Sequence, residues 1–385
     1  MRPQSAPAGA EPAAVLPDAA VAGPTGIAAP TGAETAVAAA VPAGKSLSPN
    51  QRAWGRFKRN RLGYVALWIF AVLLAVTTAA EVVANDRPLV ARYQGHWLFP
   101  FIHNPPERAF GGDFGTQTDW HDPFILERFA KGDNFAVFAP IPHSASSLNF
   151  FAKAPDPAPP GDGHWLGTDE SGRDLLARLI YGFRISVWFG FALTLAGVAI
   201  GVAAGAVQGY FGGRVDLIAQ RFIEIWNSVP ELYLLIIFAS IFEPSILLLL
   251  ALLALFGWVS LSDYVRAEFL RNRSLEFVKA ARALGLSNLQ IIRRHVLPNS
   301  MTPVITFLPF RMSASILALT SLDFLGLGVP PPTPSLGDLL RQGKENLDAW
   351  WITVPTFFVL VVTLLLLTFM GDALRDALDP RKVDA

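Results

Sequence analysis

The sequence predicts an all-α integral membrane protein with six transmembrane helices and a large insertion outside the membrane after helix 1. Three observations predict it. Hydrophobic residues are 52% of the 385 and charged residues only 16%, against roughly 25% charged in a soluble domain. The apolar residues gather in runs long enough to cross a bilayer. The basic residues gather at the ends of those runs that a single topology places on one side.

Residues 1–45 are mostly Ala, Pro, Gly, Val and Thr. Such a segment buries too little apolar surface to offset its ordering entropy, so a disordered tail is expected. It lacks the basic start and compact apolar core of a signal peptide. Residues 46–84 hold a basic segment and the first span. Arg52, Arg56, Lys58, Arg59 and Arg61 directly precede the apolar run Leu62–Ala84. About 20 helical residues, rising about 1.5 Å each, cross a hydrocarbon core of about 30 Å. The positive flank places the N-terminus inside.

Residues 85–183 are too long for a simple connection. Trp97, Phe99, Trp120, Phe124 and Phe129 predict a small folded external insertion of mixed structure, closing in the Pro-rich run 155–160. Residues 184–385 then carry five more spans, near 185–208, 217–241, 245–262, 300–322 and 352–371. Arg266, Arg271, Arg273, Lys279, Arg282, Arg293 and Arg294 fall between the fourth and fifth spans, Arg214 between the second and third, and Arg381 and Lys382 after the sixth. All of these are inside by the count, and only Arg341 and Lys344 lie in the short outer loop. Both termini are therefore expected in the cytoplasm. Gly201, Gly205 and Gly209, spaced by four, predict close helix packing in the second span. Pro230 predicts a kink in the third.

Several function classes drop out. The net charge is zero, so nothing favours nucleic acid. Without cysteine there is no disulfide or thiol chemistry. Gly44-Lys45-Ser46 ends like a phosphate loop, but Ala39 stands where the first glycine is required, and no strand precedes it. His96, His103, His121, His143, His164 and His295 show no paired ligand spacing, so no metal is expected. No Gly-x-Ser-x-Gly elbow or other catalytic residue is found. No inverted repeat relates the two halves, which disfavours common secondary-transporter folds.

The cytoplasmic loop 272–299 is the most informative stretch. Leu275, Val278, Ala281 and Leu284 recur at helical spacing. Gly285 is a helix stop. Ser287 with Gln290 three residues on is a capping box that restarts a helix, and Pro298 is expected to halt it before the fifth span. A helix–turn–helix docking unit and a plain solvated connector both fit this pattern.

Lys279-Ala280-Ala281-x-x-x-Gly285, followed by His295-Val-Leu297-Pro298, resembles the EAA loop of permease subunits in ATP-binding-cassette importers. Lys279 stands where that motif has an acidic residue, and His295 where it has an apolar one. Leu166-Gly-Thr-Asp-Glu-Ser-Gly-Arg-Asp174, Arg178-Leu-Ile-Tyr-Gly-Phe-Arg-Ile-Ser186, Gly209-Tyr-Phe-Gly-Gly213, Ser321-Leu-Asp-Phe-Leu-Gly-Leu-Gly328 and Pro334-Ser-Leu-Gly337 are similar to the oligopeptide/dipeptide permeases. Gln51-Arg-Ala-Trp-Gly-Arg-Phe57, Ala84-Asn-Asp-Arg-Pro88, Phe110-Gly-Gly-Asp113 and Asp122-Pro123 look like one branch, the second permease of importers for microcin C and related oligopeptides.

The resemblance implies a non-enzymatic permease of the bacterial inner membrane, with its insertion in the periplasm. It implies a second permease subunit, ATPase subunits seated on the loop 272–299, a periplasmic substrate-binding protein and membrane lipid as partners. ATP and magnesium would sit on the ATPase subunits and no cofactor on this chain. Arg311 in the fifth span and Glu224 in the third are candidates for the translocation path. Arg311 either lines a cavity, pairs at the permease interface or snorkels. Glu224 is placed to pair with Arg221 one turn away. A gradient-driven secondary transporter and a membrane scaffold are the competing readings.

Overall fold

The computed structural model describes residues 48–148 and 155–379. The expected tail 1–45, the Gly44-Lys45-Ser46 sequence and the basic pair Arg381 and Lys382 lie outside the described residues.

Helix α1 (Pro49–Arg59) opens with a reciprocal capping box between Ser48 and Gln51. Asn60 interrupts it and caps the next helix, α2 (Arg61–Thr78), by accepting from the Gly63 amide. The first span stops short of the expected Ala84. Thr77 bonds back to the carbonyls of Leu73 and Leu74, Ala79 leaves helical geometry, and a single turn, α3 (Ala80–Val83), follows.

The segment after α3 corrects the all-α expectation, because it contains a small antiparallel sheet. Strands β1 (Val90–Tyr93) and β2 (His96–Leu98) form a hairpin over Gln94-Gly95, with Ala91 opposite Leu98. Both turn residues have left-handed φ, as a two-residue hairpin requires. After α4 (Pro123–Phe129), strand β3 (Phe135–Val137) pairs with the other side of β1, giving the order β2-β1-β3. Ala91, Phe110, Trp120, Ile125 and Phe129 form its core. Phe110, Trp120 and Phe129 pack as rings 5.1–5.3 Å apart. The buried Trp120 indole donates to Asn104 Oδ1 at 2.8 Å.

The remaining helices are α5 (Leu175–Phe211), α6 (Gly213–Asn227), α7 (Glu231–Ile241), α8 (Ile246–Gly257), α9 (Val259–Asn272), α10 (Glu276–Ala283), α11 (Asn288–Ile291), α12 (Leu297–Phe324), α13 (Leu336–Glu345) and α14 (Trp350–Leu378). Among the described residues, five helical stretches are long and apolar enough to cross a membrane: α2, α5, α8–α9, α11–α12 and α14. A sixth exists only if α6 and α7, bent by 63°, count as one.

The kink expected at Pro230 is present, since Pro230 has no amide to donate and keeps the preceding backbone from continuing the helix, and α6 and α7 meet at 63°. Two other expectations about the spans are corrected. The fourth continues through a small dislocation at Trp258 to Asn272, so Arg266 and Arg271 ride on a helix and not in a loop. Pro298 does not halt the helix before the fifth span. A π turn at Ile292–Val296 changes the bonding pattern just upstream, and the helix runs on into α12 with the proline in its first turn.

Helix α5 lies at the centre, packed chiefly on α9 and α12, while α2 packs on α14 and α14 on α12. The glycine spacing explains the first contact. A Cβ at Gly205 would collide with the Ser262 carbonyl, and Gly201 and Gly209 face Trp258 and Arg266 in the same way. The absence of side chains lets the two backbones approach, which is how membrane helices gain packing energy in lipid. Helix α5 begins at Leu175, within the stretch assigned to the insertion, because Asp174 caps it by accepting from the Ala177 amide.

Candidate coupling knob and buried charge network

The chain between α9 and α12 folds into a compact knob. Helix α10 ends in a Schellman arrangement. The Leu286 amide donates to the Ala281 carbonyl, and the Gly285 amide to that of Arg282. Gly285 supplies the required left-handed residue at φ +77. Ser287 and Gln290 then form the expected capping box of α11. The inner face of the knob is apolar: Val278, Ala281, Ile291 and Val296 are buried in one cluster with Tyr210, Val265 and Phe269. Polar ties fix its root. Asn272 Nδ2 donates to Ser300 Oγ at 2.9 Å, Tyr210 Oη to Asn288 Oδ1 at 2.9 Å, and Arg273 Nη1 to the Tyr210 carbonyl at 3.2 Å. The knob is thus bonded to α5, and the helices α9 and α12 at its root are bonded to each other.

Its outer face carries Leu284, 80% exposed, and Leu289, 62% exposed. Lys279, Arg282, Arg293 and Arg294 are exposed cations of the same segment. The four apolar positions at helical spacing divide: Val278 and Ala281 face in, Leu275 and Leu284 face out. The adjacent alanines also divide, with Ala280 exposed and Ala281 buried. Lys279 pairs with Glu276 at 2.8 Å. His295 is half-buried, and its carbonyl accepts from Asn299. Leu297 packs on the core cluster, and Pro298 is exposed.

The two residues of the suggested path occupy different settings. Arg311 is half-buried beside Gly197 and donates to the Gly257 carbonyl, at the break between α8 and α9. Its Nε has no partner among the described residues. Glu224 is exposed and forms the expected ion pair with Arg221, at 2.5 Å.

A second cluster was not legible in the sequence. The carboxylate of Asp169 is buried, accepts from the amides of Ser171 and Arg173, and bonds Arg173 Nε at 2.9 Å. The wholly buried guanidinium of Arg178 lies between Asp169, at 3.1 Å, and Asp338 on α13, at 3.4 Å. Asp338 also accepts from Arg341 at 2.7 Å and Gln342 at 2.8 Å. The bond from Asp338 holds the Arg341 guanidinium above its ordinary pKa. Gln342 closes the ring by accepting from the Glu170 amide. Desolvation of two carboxylates and a guanidinium is tolerable only with this density of partners. The crowding of Asp and Arg in the 166–178 segment was the available signal, but its partner helix lies far along the chain.

The described chain is thus a multi-span helical bundle of a membrane protein, with a bonded knob between two of its spans. Residues 197–384 match the family described as "Binding-protein-dependent transport system inner membrane component", and residues 48–106 match the "N-terminal TM domain of oligopeptide transport permease C". The chain is 51% identical over 337 residues to the inner membrane ABC transporter permease protein YejE of Escherichia coli, covering 87% of this chain and 98% of that one. It is 48% identical over 356 residues to the peptidoglycan transport system permease protein YejE of Agrobacterium fabrum, covering 86% and 93%. It is 37% identical over 247 residues to the oligopeptide transport system permease protein OppC of Haemophilus influenzae, covering 63% and 78%. The chain belongs to the family of ABC-transporter inner-membrane permeases. It is a multi-pass permease subunit of an ABC importer.

Proposed function

We propose that this subunit and a second permease form the path by which oligopeptides or peptide-like compounds of the microcin C type pass from periplasm to cytoplasm. The printed names of its relatives, which include oligopeptide and peptidoglycan transport systems, support that substrate class. A periplasmic binding protein delivers the cargo to the side bearing the segment 85–174. Both termini lie in the cytoplasm, and lipid covers the apolar outer face of α2, where Leu62, Trp68 and Val72 are exposed. ATP and magnesium are held by separate ATPase subunits, and this chain carries no nucleotide.

The observation that carries the coupling role is the knob's two-sidedness. Its exposed side offers Leu284 and Leu289 on a segment that also exposes four cations, a composition suited to an ATPase groove. Its inner face is bonded to α5 through Tyr210, and its last turn to α12 through the Ser300 hydroxyl, which donates to the Val296 carbonyl. A displacement of the outer face by ATP-driven closure therefore moves the membrane helices as a unit, biasing a two-state bundle. Lys279, Ala280, Gly285, His295 and Pro298 shape or flank this surface, while Ala281 and Leu297 anchor it. Arg311 places a cation beside the α8–α9 break and lines the path there, with Glu224 at its cytoplasmic end.

Peptide uptake into vesicles bearing the complete complex tests this reading, comparing wild type with Gly285→Asp. Uptake should require ATP, and the variant should assemble yet lose coupled hydrolysis. ATP-independent uptake, or a variant indistinguishable from wild type, would replace the reading with a gradient-driven carrier.

A further inference from the structure

Outside the spans, three imidazoles from distant parts of the sequence form a column. His121 stacks on His143 with centroids 5.3 Å apart, and His143 on His164 at 4.2 Å. At the foot of the column His164 Nδ1 is 2.8 Å from Asp174 Oδ2. The His164 and Asp174 side chains are only 5% and 1% exposed. Neither the knob nor the Arg178 network uses these residues.

We propose that His143, His164 and Asp174 form a site for a divalent transition-metal ion of the zinc class. The site clips the stretch around His143 and the Gly161–His164 turn to the first turn of α5. It is independent of the transport reading.

The geometry carries the assignment. One ligand atom from each of the three residues lies within 4.8 Å of the others. A tetrahedral zinc with bonds of about 2.1 Å sets ligand atoms about 3.4 Å apart. Binding requires the half-buried His143 ring to turn about its side-chain torsions out of its stack on His164, exchanging its bond to the Gly163 backbone for the metal. Asp174 is already oriented, since its Oδ1 accepts from the Ala177 amide at 2.7 Å and leaves Oδ2 aimed at His164. Such outer bonds are what fix ligand direction in metal sites. Two imidazoles and one carboxylate suit zinc, cobalt or nickel over calcium or magnesium. An approach route exists as well. A cleft of about 430 Å³ is lined by both His121 and His143, with three carboxylates, Asp86, Asp119 and Asp162, against one cation, Arg87.

The test uses the full chain in lipid nanodiscs, purified without a histidine tag, titrated with zinc against a chromophoric chelator. Wild type should take up one zinc per chain with high affinity. His143→Gln should weaken binding at least tenfold. Asp174→Asn should do the same while retaining the helix cap, since Asn caps as well as Asp. His96→Ala, on the exposed β2, should bind as wild type. Cobalt should give a visible absorption band in wild type that His143→Gln lacks. Thermal unfolding in chelator should show that the variants remain folded. Wild-type zinc uptake no stronger than that of folded His143→Gln would overturn the site, leaving His164–Asp174 as a plain hydrogen bond. Equal weakening by His96→Ala would also overturn it.

Discussion

Arg178 on α5 and Asp338 on α13 face each other across 3.4 Å, with the Arg178 side chain wholly buried. The contact ties the N-terminal end of the central helix to the short helix before the last span. Asp169 holds the other side of the same guanidinium. The Arg178→Met variant should therefore lower stability by about 3 kcal/mol, the lower end for a broken buried pair, because Arg173 and Arg341 still face the two carboxylates. Arg341→Ala, at the more exposed rim, should change stability by about 1 kcal/mol or less. Thermal unfolding of the purified chain separates the two, and equal losses would contradict the network.

Glu170 sits at the edge of that network. Burial raises its carboxyl above the ordinary range, against the pull of Arg341, while Asp338, Glu345 and Asp169 push it further up. A raised carboxyl binds its proton more tightly in the folded chain. Its favourable contribution is thus present below the ordinary value of 4.5 and fades as pH rises through the raised one. Glu170→Gln should flatten the fall in melting temperature across that window. An unchanged pH profile would count against the assignment.

The glycine stripe of α5 makes a paired prediction. Gly205→Ala drives a methyl into the Ser262 carbonyl, so α5 and α9 must separate, at about 1–3 kcal/mol. Gly55→Ala on α1 meets nothing within 4 Å and should be neutral or stabilising by up to about 1 kcal/mol. Melting temperatures in one detergent compare them directly.

At the knob, Gly285 has open space around its missing side chain, so only its left-handed backbone resists substitution. Gly285→Ala should destabilise by about 1 kcal/mol, and Gly285→Asn by less, since Asn visits that conformation readily.

Leu284→Asp and Leu289→Asp alter exposed side chains only. Both should leave the melting temperature of the isolated chain unchanged while reducing copurification of the ATPase subunits at least tenfold. Full ATPase recovery with both variants would remove these leucines from the docking surface.

The membrane character, the places of the apolar spans along the chain and the helix–glycine–helix order of the knob were determined by the sequence alone. Each depends on residues within a few turns: an apolar run, the Ser287–Gln290 box, the helix stop at Gly285. The tertiary structure alone decided the rest. Pro230 predicts a kink locally, but the 63° angle between α6 and α7 depends on what surrounds them. The Pro298 stop was overridden by a π turn that continues the helix. Val278 and Leu284 share one helical period, yet packing against Tyr210 and Phe269 buries only the first. His143 shows no ligand spacing with His164, and Arg178 shows none with Asp338. Hydropathy, caps and turns act over neighbouring residues, whereas ion pairs and imidazole columns form only after the fold has brought distant segments together.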